Sequence, residues 1–140
     1  MRLKTSSRLA LFAAIELAGA AGAARSAGEL AATCGASANH MAKVLQVLAR
    51  AGLVAPSRGA QGGYRFAGNA RRTTLLDVIA LFETIAVNAP APAPAGAPAH
   101  LPVAAALDAV LAEIDDNARA TLGSITLETI RRAAAGPGGA

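Results

Sequence analysis

Ser37, Asn39, His40 and Lys43 crowd side chains able to meet bases or phosphates into two turns of a would-be helix. An Asn amide matches the donor and acceptor edge of adenine, while a Lys one turn later reaches a guanine or a phosphate. Asn39 is the leading base reader of the four. Ser37 is placed to cap the helix and, with the exposed N–H groups behind it, to touch a phosphate, although capping alone accounts for its presence. Such a cluster is also what the solvated side of a core helix looks like, so the surrounding elements must decide.

A second group lies further on. Arg58 and Arg65 flank Gly59-Ala60-Gln61-Gly62-Gly63. Small residues there let backbone approach a sugar-phosphate surface while an arginine enters the minor groove, and Gln61 stands at the tip.

The elements that would hold these groups follow from local signals. Leu11, Ala14, Ile15 and Ala18 predict a first helix from about Ser7 to Ala21. Ser26-Ala27-Gly28-Glu29 has the Ser-x-x-Glu spacing that caps a helix beginning at Ala27. Gly35 ends that helix with a sharp turn, and Ser37 opens a third from Ala38 to about Ala51, with Met41, Val44, Leu45 and Leu48 on one face. A short helix carrying Leu30, Ala31 and Cys34, a glycine turn and a second amphipathic helix form the helix-turn-helix pattern, which presents the start of its second helix to a major groove. Leu53-Val54-Ala55 and Tyr64-Arg65-Phe66 read as a hairpin, making the unit a winged helix. Thr74-Leu75-Leu76-Asp77 caps a further helix expected to pack under the hairpin.

Charge supports a polyanion partner for the front of the chain. Residues 1–72 carry ten basic and two acidic side chains, and the remainder three basic and seven acidic. Enzymatic function finds no support: there is no nucleophile and base pair, no paired carboxylate site and no phosphate loop. The run from Leu9 to Ala24 is interrupted by Glu16 and is too short for a membrane span, so the protein reads as cytoplasmic and nucleoid-associated, without a membrane partner. A single cysteine, Cys34, forms no internal disulfide and reads as a small apolar core residue rather than a redox sensor.

The organisation is then a winged helix-turn-helix domain over 1–87, an Ala/Pro linker over 88–102, a dimerisation helix with a short terminal helix over 103–132, and a disordered tail over 133–140. The fold class is mainly α with a small β-hairpin wing. Val103, Leu107, Val110, Leu111, Ile114 and Ala118 form an apolar stripe opposed by Asp108, Glu113, Asp115 and Asp116. Pairing of Leu107, Val110, Leu111 and Ile114 with the same helix of a second chain is the economical way to cover it.

Ala51-Gly52-Leu53-Val54, Arg58-Gly59, Gly62-Gly63-Tyr64-Arg65, Thr74-Leu75-Leu76-Asp77-Val78 and Ile125-Thr126-Leu127, in that order and behind Met1-Arg2-Leu3, resemble the Rrf2 family of bacterial regulators. The resemblance covers nearly the whole chain outside the linker and tail. It implies a homodimer joined by the long helix, two recognition helices on a palindromic operator of double-stranded DNA, and repression. It also implies DNA contacts at Ser37, Asn39 and Arg58, whereas His40 and Lys43 come from the chemistry of the residues themselves.

The chain departs from that family at two places. The wing tip, commonly Pro-Gly-Gly-Gly, is Ala60-Gln61-Gly62-Gly63. The three cysteines of cluster-binding members are missing, the last of them falling on Ala105, and His100 alone supplies too few ligands. No cofactor is expected; the regulating signal is left to a small-molecule or protein effector or to thiol chemistry at Cys34. A winged-helix module that binds another protein and no DNA is the alternative reading.

Overall fold

The computed structural model describes residues 1–59, 62–84 and 102–136. In chain order they form α1 (Thr5–Gly19), α2 (Ala27–Cys34), α3 (Ala38–Arg50), β1 (Val54–Pro56), β2 (Tyr64–Phe66), α4 (Leu75–Ile79), α5 (Pro102–Ser124) and α6 (Leu127–Ala135). The mainly helical fold with one small hairpin is as expected.

Helix α1 starts two residues earlier than its apolar spacing predicts, and the cause is remote. Its cap position, Lys4, has no side-chain cap of its own. Instead the Lys4 N–H donates to Glu83 Oε2 at 2.8 Å, and the Ser7 hydroxyl donates to the same oxygen. A carboxylate is thus held where a helix N-terminus favours negative charge. At the other end the chain leaves the helix through Ala21 and Gly22, both at positive φ.

α2 and α3 begin where their serines predict. Ser26 Oγ accepts from the Glu29 N–H and Ser37 Oγ from the His40 N–H, each at 3.0 Å. Between them Gly35 takes the left-handed conformation at φ 72°, and the Ala36 N–H closes the turn on the Ala31 carbonyl at 2.9 Å. Met41, Val44, Leu45 and Leu48 are all buried, facing Leu30, Ala31, Leu9, Ala10, Ala13, Ala14 and Leu17 in one core. Alanines on α1 allow the helices to approach closely where bulky residues would hold them apart.

β1 and β2 pair antiparallel, Val54 opposite Phe66 and Ala55 opposite Arg65. The first strand lies one residue later than predicted. A third segment joins them: Arg25 and Tyr64 exchange both backbone hydrogen bonds, at 2.9 and 2.8 Å, tying the hairpin to the loop after α1.

Thr74 and Asp77 form the reciprocal cap of α4, each side chain accepting from the other's backbone N–H. α4 is shorter than expected and packs on α1 and α5 rather than under the hairpin, because the chain turns at Leu81 and Phe82 to bring Glu83 to the start of α1. The Ile125-Thr126-Leu127 motif also has a structural role here. The Leu75 N–H donates to the Ile125 carbonyl and the Leu127 N–H to that of Thr73, both at 2.9 Å, so α4 and α6 are capped side by side.

Three boundaries of the expected domain division differ as well. Pro102, placed in the linker, is the first residue of α5, where a missing N–H costs nothing; the rest of the linker, 88–101, lies outside the described residues. α6, grouped with the dimerisation helix, packs on α1 and buries Leu127 in the front core. The tail expected from 133 is helical to Ala135, with Gly136 as cap.

α5 is about 35 Å long at 1.5 Å per residue. Its apolar stripe faces outward: Val103, Leu107, Val110 and Ile114 are 79%, 55%, 53% and 50% exposed, and Leu111 is half-buried. Asp115, expected on the polar side, is instead buried, at helical spacing from the half-buried Leu111, Ala118 and Leu122, whereas Asp108, Glu113 and Asp116 stay exposed. No helix among the described residues is long and apolar enough to cross a membrane.

Candidate nucleic-acid interface

The start of α3 is where the candidate groups converge. Ser37 is exposed and its hydroxyl is engaged in capping, so its backbone is what it can still offer a phosphate. Asn39 and Lys43 are exposed one turn apart on a common face. Gln46 and Arg50 continue that stripe at helical spacing and are exposed as well. The sequence expectation assigns neither of them a role, although their spacing from Asn39 already marks them.

His40 departs from the expected role. Its ring is half-buried and Nε2 lies 3.0 Å from Ser6 Oγ on α1. The imidazole therefore tethers the recognition helix to the helix behind it, which limits its reach toward a base.

In the wing, Arg58 is exposed two residues beyond β1, next to Ser57, whose N–H donates to the Gly63 carbonyl at 2.8 Å. Arg65 projects from β2 on the exposed face while its neighbours Tyr64 and Phe66 pack inward. Gln61 lies outside the described residues. Gly63, at φ +129°, is required by close approach: a Cβ there would stand 2.8 Å from the Arg25 carbonyl oxygen. No local pattern signals this contact, which places Arg25, itself exposed, beside the wing.

Every residue of the α3 stripe and both wing arginines are without a carboxylate partner among the described residues, whose ion pairs join Asp116 to Arg119 and Glu128 to Arg131 and Arg132. Positive charge left uncompensated on one set of elements is what a polyanion requires.

Capped helix, glycine turn, second capped helix and anchored hairpin together define a winged helix-turn-helix of the DNA-binding kind. Its α3 is the recognition helix. The chain belongs to the Rrf2 family, whose model, described as that of an iron-dependent transcriptional regulator, matches residues 3–133. It is therefore a DNA-binding transcriptional regulator. BadM of Rhodopseudomonas palustris, named as an HTH-type transcriptional regulator, is 41% identical over 148 residues spanning 100% of this chain and 92% of that protein. Among solved structures, CymR, the global cysteine regulator of B. subtilis, superposes with a TM-score of 0.78 at 27% identity, covering 95% of this chain and 98% of CymR. IscR of T. potens follows at 0.68 and 26%, covering 96% and 88%.

The family's description raises iron, and the donor set does not fit an iron-sulfur cluster. The chain has one cysteine and two histidines in all. Among the described residues no three His, Cys, Asp or Glu side chains come together. Cys34 is half-buried beneath the turn, its Sγ 3.6 Å from the Ala31 carbonyl, and Ala105 stands exposed on α5. Clusters are held by several thiolates, which one chain with one thiol cannot provide.

Proposed function

We propose that the protein is a homodimeric repressor that reads a palindromic operator, with α3 of each protomer in a major groove and each wing against the adjoining backbone. The observation that carries this reading is the exposed Asn39, Lys43, Gln46 and Arg50 stripe, opened by the Ser37 cap and bare of carboxylates. Asn39 reads an adenine, Lys43 a guanine or phosphate, Arg58 the minor groove, and Arg65 and Gln61 the backbone beside it. The exposed α5 stripe supports pairing through Leu107, Val110, Leu111 and Ile114. The signal acts without an iron-sulfur cluster, and the protein works on the nucleoid in the cytoplasm.

The test is titration of genomic promoter fragments with the wild type, Asn39→Ala and Arg58→Ala, with oligomeric state followed by light scattering. Both substitutions weaken retention while the dimer persists. Undiminished binding in both sinks the assignment, and duplex affinity that ignores salt favours a protein-docking module instead.

A further inference from the structure

Beside the recognition helix the structure holds a cleft of about 480 Å³. It is lined by Leu9, Cys34 and Ala36, by Arg2 of the N-terminal segment and Arg8 of α1, and by Ser37 and His40 at the start of α3. No Asp or Glu lines it. Neither Arg2 nor Arg8 is in an ion pair among the described residues. The backbone that carries Arg2 is tied at Lys4 to Glu83, and the His40 ring is tied to Ser6.

We propose that this cleft binds a compact oxyanion, the phosphate or carboxylate group of a small metabolite, and that its occupancy opposes DNA binding. Arg2 and Arg8, both lining the cleft, carry forked donors suited to such a group, and the amino-terminal end of a 13-residue helix adds its partial positive charge. The cleft, rather than the helix end alone, confines the ligand on both sides. Because Ser37 and His40 belong both to the cleft and to the recognition helix, a bound anion places negative charge where DNA phosphates approach. Linkage makes the antagonism reciprocal: DNA weakens the anion as the anion weakens DNA. The regulatory half of the proposal rests on the DNA-reading function above, whereas the binding half does not.

Cys34, the only thiol, reports occupancy directly. The alkylation rate of full-length protein by neutral iodoacetamide is followed without DNA, in inorganic phosphate, citrate or chloride at matched ionic strength. An anion that covers the thiol slows the reaction saturably, by about tenfold at roughly ten times its Kd. The protection is lost in the Arg2→Gln, Arg8→Gln double variant, whose side chains are exposed and outside the core. Saturation by phosphate alone assigns a phosphate site, and by citrate alone a carboxylate site. Protection absent from both, equal in chloride, or unchanged in the double variant overturns the proposal. So does a double variant that loses DNA affinity when no anion protects the wild type, for then the cleft holds a DNA phosphate. In the second arm, a protecting anion at ten times its Kd lowers affinity for promoter DNA about tenfold at fixed ionic strength. Protection without that loss overturns only the regulatory half.

Discussion

His40 Nε2 sits 3.0 Å from Ser6 Oγ, joining the first turn of the recognition helix to the first turn of α1. Asn39, its neighbour, points into solvent with no such tie. The two residues therefore fail differently when truncated. If Asn39 reads a base as proposed, Asn39→Ala costs about 1–3 kcal/mol of discrimination at one operator position. His40→Ala loosens the seat of α3, lowering thermal stability and weakening binding to all sequences alike. Competition titrations against single-base operator variants separate the two, and a position-specific effect of His40→Ala contradicts this division.

The wing depends on a close backbone approach. A Cβ at Gly63 meets the carbonyl oxygen of Arg25 at 2.8 Å and its carbon at 2.9 Å, backbone atoms that cannot swing aside. Gly63→Ala is expected to cost about 1–3 kcal/mol, since φ of +129° is itself a strained region for alanine. Gly59→Ala faces open space and should stay within about 0.5 kcal/mol of the wild type. Urea denaturation of the two variants checks the contrast.

Local chemistry made much of this arrangement readable in advance. Ser26, Ser37 and Thr74 each cap the helix that follows them, because a short polar side chain competes for the first N–H groups whatever lies elsewhere in the chain. The apolar face of α3 and the turn at Gly35 were legible for the same reason. What escaped depends on partners far off in sequence. Glu83 completes α1 from 79 residues beyond Lys4, Arg25 extends the hairpin, and Ser6 claims the His40 ring. Asp115 reads as a solvent-facing charge until the rotation of α5 is known, and periodicity leaves that rotation open.

Two carboxylates set an acid limit on stability. Two arginine side chains hold Glu128 down to about 2, hydrogen bonding from Arg131 being the largest cause, against an ordinary value of 4.5. The Ser7 hydroxyl, helped by Lys4, lowers Glu83 in the same direction. Since both values are depressed on folding, their contribution is fully present above about 4.5 and is lost as pH falls through the depressed values, about 2 for Glu128. Glu128→Gln should be less stable than the wild type at neutral pH, with the gap closing in acid. Glu83→Ala also leaves the buried Ser7 hydroxyl without its acceptor and uncaps α1, costing about 1–2 kcal/mol at neutral pH. Urea midpoints followed from neutral pH down to about 2 give both curves; a gap that stays constant for Glu128→Gln refutes the linkage.

Operator recognition should depend on residues that never touch DNA. Val110 and Ile114 are half exposed on α5 and belong to no core contact in a single chain. Replacing both with glutamate therefore leaves the front domain folded while placing charge in the proposed pairing surface. Light scattering should report a monomer. One recognition helix covers one half-site, and two half-sites a helical turn apart, about 34–36 Å, are held together only when a dimer spans them. The double variant should then bind a full palindrome no better than a half-site, whereas the wild type prefers the palindrome by orders of magnitude, because the second contact is made within one complex. Retention of both dimer and palindrome preference in the variant would assign pairing to another surface.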